Sequence, residues 1–190
     1  MILIVSSTKD IAGMNIAQKI IDLYGFEKHS ESFSQNPIYL KVINNNEVKL
    51  IFVNEESVYA QYITDYFYPQ LIVFVSRHSS ESGIPTLSVH TPGNLGEAKL
   101  GGLPRRVSVS PASAMKNALL EMTRLKDEMK LNYQVSYECT HHGPSLNVPT
   151  MFVELGSSLA QWKDLKAAEA VAHAAIAAVS KEITYPACLL

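Results

Sequence analysis

The stretch QLIVFVSRHSS, residues 70–80, decides how the chain is read. Leu71 to Val75 form an unbroken apolar run, rich in β-branched residues and preceded by Pro69. Such a run reads as a buried strand. It then breaks into Arg77, His78, Ser79 and Ser80, which places reactive side chains at the tip of the strand.

The same grammar repeats outward. ILIVSS (2–7) is a first buried strand, followed by KDIAGMNIAQKIIDLYGF, in which Ile16, Ile20 and Leu23 keep helical spacing. Asp10 or Thr8 suits the start of that helix and Gly25 its end. PIYLKVI and VKLIFVN flank NNNE and predict a hairpin with an Asn-rich turn. SVYAQYITDYF (57–67) predicts a short helix ahead of Pro69. TLSVHT (86–91), NYQVSYECT (132–140) and TMFVELGSS (150–158) read as further strands. Residues 110–129 predict a helix with Ser110 as cap, Pro111 in its first turn and an apolar face of Met115, Leu119, Met122 and Leu125. A last helix is expected from Leu159 to Lys181, capped by Ser158, with Leu165, Ala168, Ala172, Ile176 and Val179 as its buried stripe. The final TYPACLL has the look of another apolar strand. Strands alternating with helices predict a single α/β domain over residues 1–190, with a mixed, mostly parallel sheet flanked by helices.

Composition narrows the function. The chain has 190 residues, 47% hydrophobic and 18% charged, enough for one well-packed core. Sixteen basic and 18 acidic residues leave a net charge of −2, so bulk charge gives no sign of nucleic-acid binding. Arg105-Arg106 is a local exception that reads as a solvated turn. Mean hydropathy is +0.04 and no long apolar run appears, so no membrane span is expected. The two cysteines, Cys139 and Cys188, make no metal or redox spacing, and the cytoplasm is the expected compartment.

Polar residues gather at strand tips. SRHSS delivers Arg77, His78 and Ser79; HTPGN (90–94) delivers His90 and Asn94; ECTHHGP (138–144) delivers Glu138, Thr140, His141 and His142; VELGSS (153–158) delivers Glu154. Ligands of open α/β sheets bind beyond the carboxyl ends of the strands, so a shared site is expected there. Alternation puts Tyr133, Val135, Tyr137 and Cys139 on an apolar face, with Cys139 a buried thiol, and turns Glu138 either to solvent or into a polar cleft. In extended backbone His141 and His142 would diverge. Glu169 and His173, four apart, read as a pair on one helix face. Histidine and glutamate together suit two chemistries. One is a Zn²⁺ ion on three protein ligands; the other is a metal-free acid/base pair.

These segments, with STKDIAGMNI (7–16), NPIYL (36–40), Gly101-Gly102 and PASAMK (111–116) in the same order, resemble the D-aminoacyl-tRNA deacylase family of the archaeal and plant type. The resemblance implies a zinc-dependent hydrolase that cleaves the ester of D-aminoacyl-tRNA. It also implies a fold similar to nucleoside phosphorylases and peptidyl-tRNA hydrolase. Its motif positions fall on Arg77, His78, His90, Asn94, Glu138, Thr140, His141, His142 and Glu154, and the resemblance does not say which of them bind metal. We expect His78, Glu138, Thr140, His141 and His142 in catalysis, Arg77, Ser79 and Asn94 on the substrate, and His90, His141 and Glu154 on the metal. A monomer is expected, with D-aminoacyl-tRNA as the partner. Two departures stand out. The family continues into a Gly-Gly-x-His-Tyr segment not present here, so a C-terminal piece is expected to be missing, and Leu95 stands where relatives often carry an aromatic residue. A metal-free ester or amide hydrolase, or a tRNA acceptor-end binding module without turnover, is the alternative.

Overall fold

The computed structural model describes residues 1–180. Strands β1 (Ile2–Ser7), β2 (Glu27–Phe33), β3 (Asn36–Ile43), β4 (Asn46–Val53), β5 (Leu71–Arg77), β6 (Thr86–His90), β9 (Gln134–Tyr137) and β10 (Thr150–Gly156) form one sheet. Its order is β2-β3-β4-β1-β5-β10-β6-β9. Strands β7 (Gly93–Asn94) and β8 (Arg106–Val107) make a separate small ribbon. The centre, β4-β1-β5-β10, is parallel. β2 and β3 add antiparallel strands on one side, and β6 joins β10 antiparallel on the other. The mixed α/β sheet expected from the sequence is therefore present.

Alternation in the central strands feeds two cores. Ile2 and Ile4 of β1, with Leu71, Val73 and Val75 of β5, belong to the core under α1 (Ile11–Tyr24), α3 (Ala112–Glu128) and α5 (Leu165–Ser180). Leu3, Val5, Ile72, Phe74 and Phe152 face the opposite core, which Ala60, Ile63 and Leu146 close. Both faces are covered, which is why these strands read as continuous apolar runs rather than alternating ones.

Local chemistry sets the element ends. Asp10 caps α1 by accepting from the Gly13 N–H at 3.0 Å, and Gly25 ends it at φ 62°, a left-handed conformation that costs glycine little. The β3–β4 turn is Asn44-Asn45, at φ 47° and 63°, the pair of positive angles a tight hairpin requires.

Several expectations are corrected. Residues 57–67 hold a 3-10 turn at Ser57–Tyr59 and the one-turn α2 (Ile63–Tyr66), not one helix. Helix α3 starts at Ala112, with Pro111 and not Ser110 at the cap position. The last helix is broken. Ser158 forms a capping box for α4 (Leu159–Trp162), and then the Asp164 carboxylate accepts from the N–H groups of Lys166 and Ala167 to start α5 afresh. Leu165 is exposed on this new first turn, while Ala168, Ala172, Ile176 and Val179 are buried as expected. β2 has no counterpart in the sequence reading. TYPACLL, Cys188 and the end of the last helix lie outside the described residues. No helix among the described residues is long and apolar enough to cross a membrane.

Candidate active site

Strand direction shapes the site. The sequence suggested a shared carboxyl edge, but β6 and β9 run antiparallel to β10. His90, the last residue of β6, sits opposite Phe152 in mid-strand. The tips of β5 and β10 therefore approach from one end and those of β6 and β9 from the other. They overlap on the face that carries Phe74 and Phe152. A cavity of about 290 Å³ opens there, lined among others by Asp10, Ser76, His78, His141, His142 and Glu154.

Two clusters occupy this face. In the first, His78 Nδ1 lies 3.2 Å from Glu138 Oε1 and 3.6 Å from Glu154 Oε2. The two carboxylates, Glu138 foremost, push the His78 imidazole up to about 9, so it is a cation at neutral pH. Burial works to raise the Glu154 carboxyl, but His78 and His90 outweigh it and hold the group well below the usual carboxylate range. Ser76 Oγ donates to Glu154 at 2.7 Å and fixes that carboxylate further.

The second cluster is three imidazoles. The rings of His90 and His141 stack at 4.2 Å, and His142 stands edge-on to both at 4.8 and 4.5 Å. One nitrogen from each lies within 4.8 Å of the other two. His90 also stacks on Phe152 at 5.0 Å. Burial, then the neighbouring His90, pulls His142 down to about 4, so it is neutral near pH 7. His141 Nδ1 lies 2.8 Å from the carbonyl of Cys139, and His142 Nδ1 lies 2.7 Å from that of Gly143. A carbonyl only accepts, so Nδ1 is the donor in both rings, and in the neutral His142 Nε2 keeps its lone pair. His90 is fully buried with neither ring nitrogen hydrogen-bonded, its Nε2 being 3.7 Å from Glu154.

The convergence of His141 and His142 corrects the expected divergence. His142 sits at φ 43°, so the backbone is not extended and consecutive side chains turn to the same side. The assigned metal set is also divided. His90 and His141 fall in the imidazole cluster and Glu154 in the carboxylate one, with the His90–Glu154 approach between them.

The remaining candidates are placed less centrally. Ser79 is exposed on the cavity lining. Arg77 lines the cavity too, but its guanidinium is engaged by Glu56 at 3.0 Å and lies over the Trp162 ring at 5.5 Å. Asn94 is buried, its amide donating to the carbonyls of Gly101 and Leu103. Thr140 is half-buried and is not among the residues that line the cavity. Cys139 is exposed, not buried: β9 is the outermost strand, and only Tyr133 and Val135 pack on the core while Tyr137 is open to solvent. Glu169 and His173 do not pair; they bond to Lys19 and Tyr24 of α1 instead.

Asp10 and Glu56 are site residues the sequence reading passed over. Asp10 was visible only as a helix cap. It also accepts from the Arg77 N–H at 2.7 Å, so one buried carboxyl ties the start of α1 to the residue before His78. Burial pushes that carboxyl up, against the pull of the two backbone donors.

Residues 65–189 match the family described as tRNA deacylase, D-aminoacyl-tRNA deacylase. The D-aminoacyl-tRNA deacylase of Pyrococcus abyssi is 40% identical over 90% of this chain and 63% of its own length. That of Pyrococcus furiosus is 37% identical over 98% of this chain and 69% of its own. The chain thus spans a little under two thirds of the length of the first of these relatives. Among solved structures, a conserved protein of unknown function superposes with a TM-score of 0.83 at 34% identity, covering 96% of this chain and 64% of that one. A Campylobacter jejuni 5′-methylthioadenosine/S-adenosyl homocysteine nucleosidase superposes at 0.58 with 11% identity, covering 94% of this chain and 98% of that one, a likeness of fold alone. The sheet is thus of the nucleosidase and phosphorylase type, and the chain belongs to the D-aminoacyl-tRNA deacylase family.

Proposed function

We propose that this chain hydrolyses the ester of D-aminoacyl-tRNA, releasing the free D-amino acid and tRNA. One observation carries the reading: His78, held by two carboxylates, faces the same cavity as His141 and His142, with His90 packed against those two rings, in a chain of this family.

Each group has a task. An ester cleaved by water needs a base for the water and a proton for the departing ribose oxygen. In a metal-free site His142, neutral near pH 7, offers its Nε2 lone pair to the water proton; with zinc held there, that lone pair would go to the ion and His142 would not be the base. His78 is protonated and its Nδ1 is committed to the carboxylates, so Nε2–H is its remaining donor for the leaving oxygen or the oxyanion. Glu138 and Glu154 hold that ring and stabilise its charge. Discrimination of D from L rests on the shape of the cavity.

The zinc implied by the family fits the imidazole cluster. His90, His141 and His142 would hold it, since His90 is a buried imidazole with both nitrogens unbonded. His141 and His142 each donate the other ring N–H to a backbone carbonyl, the support that metal-bound histidines use. When bound, the ion would supply Lewis acidity toward a carbonyl oxygen or water.

The test is release of free amino acid from D-Tyr-tRNA and L-Tyr-tRNA by the purified chain. D-selective release that falls at least about 100-fold in His78→Ala is expected. Equal turnover of the two esters, or none, rejects the reading.

A further inference from the structure

Residues 95–107 run from β7 through the second strand of its ribbon, β8, as a strap that reaches the cavity at Leu100. Leu100 of this strap lines the cavity. Its carbonyl accepts from the Gly143 N–H at 2.8 Å, and at the base of the strap the Gly93 N–H donates to the His142 carbonyl at 2.6 Å. The strap is thus fastened to the segment that carries the imidazoles. Inside it, Asn94 clamps Gly101 and Leu103, and Ser145 Oγ accepts from the Leu103 N–H and donates to the Arg106 carbonyl. This is a rigid piece, not a loose loop.

Its outer surface is basic in a chain whose net charge is −2. Within 95–107, Lys99, Arg105 and Arg106 face Glu97 alone. The Lys99–Glu97 pair is 3.7 Å apart and over four-fifths exposed on both sides, so it neutralises little. The chain has four arginines. Arg77 and Arg124 are ion-paired with glutamates. Arg105 and Arg106 make no ion pair with a carboxylate among the described residues. The Arg106 guanidinium is held instead by the neutral Asn147 at 2.7 Å. Arg105 is fixed at φ 52°, a conformation rare outside glycine and asparagine, by its N–H to the Gly96 carbonyl. Two exposed guanidinium groups without a carboxylate partner among the described residues, one of them held by Asn147, on a strap bolted to the site, match a chain of phosphates.

We propose that the strap is where the phosphodiester backbone of the RNA 3′ end lies, with Lys99, Arg105 and Arg106 as its phosphate contacts. This rests on the reading of the substrate as an aminoacylated RNA. All three side chains are exposed, so their removal leaves the core intact.

The test is binding of fluorescent, deacylated tRNA, followed by anisotropy across a salt series. It compares the wild type, the triple variant Lys99→Ala/Arg105→Ala/Arg106→Ala, and the control Lys28→Ala/Lys41→Ala on β2 and β3. The triple variant is expected to bind at least about tenfold more weakly at low salt. Its log–log salt slope should be shallower by about 2, at about 0.7 per phosphate contact on a single strand. The control should match the wild type. Wild-type and triple-variant curves that coincide, or no tRNA binding by the wild type, overturn the proposal. The function is read separately. Deacylation that persists while the binding curves coincide removes the strap alone. Strap-dependent binding without ester cleavage removes the hydrolase alone.

Discussion

His78 and Glu138 meet at 3.2 Å although their strands are not neighbours: β10 and β6 lie between β5 and β9. The pair joins the parallel centre of the sheet to its outermost strand, and its charge state follows from that contact. His78 is raised from an ordinary 6.5 to about 9, so the pairing contributes stability fully below about 6.5 and loses it as pH rises toward 9. Glu138→Gln should lower the His78 midpoint, read by NMR of the imidazole C–H, and should flatten the fall in denaturant stability between pH 6 and pH 9. Glu154 remains beside the ring, so the midpoint should stay above 6.5. An unmoved midpoint would show that Glu138 is not the cause.

Asp10→Ala removes one carboxylate from two N–H donors, those of Gly13 and Arg77. A lost helix cap alone costs about 1 kcal/mol, and the second orphaned donor should bring the total to about 2 kcal/mol. Urea unfolding gives the number. A loss under about 0.5 kcal/mol would mean that water replaces the carboxylate at both places.

Gly143→Ala tests the fit of the strap. A Cβ there would fall 2.6 Å from the Val58 carbonyl and collide with the Gly102 amide. Overpacking of this kind costs about 1–3 kcal/mol, and it should displace Leu100 from the cavity. The expected outcome is a lower Tm together with deacylation reduced at least tenfold. Unchanged turnover would show that the strap yields freely.

His141→Ala tests the proposed zinc ligands at the most accessible imidazole. Zinc retained after dialysis, measured by mass spectrometry of the metal, should fall on the order of 100-fold in affinity while the fold is kept. Glu154→Gln should leave zinc content nearly intact if the three imidazoles are the ligands. The reverse pattern would restore Glu154 to the metal.

Much of this was legible in the sequence where one local rule acted alone. The apolar runs of β1, β5 and β10, the Asp10 cap and the Asn44-Asn45 turn depend only on neighbours in the chain. What failed depended on partners or on one backbone angle. β2, EKHSESF, is almost wholly polar because it lies at the open end of the sheet, and such a strand carries no apolar signal. Cys139 was read as buried from alternation, which cannot tell an inner strand from an outer one. The joint approach of His141 and His142 turns on a positive φ at His142, which no spacing encodes. That His90 and Glu154 belong to different clusters required the direction of β6, which was not assigned from the sequence.

Among the described residues β9 is hydrogen-bonded on one side only, to β6. Glu138, His141 and His142 all follow it directly. Three of the site's side chains therefore follow a strand at the edge of the sheet. Peeling of that margin would disperse the reacting groups while the helices and the central strands stayed folded. Heat should accordingly abolish turnover several degrees before the ellipticity falls, and amide exchange at Ser136 and Tyr137 should outpace that at Val73 and Val153.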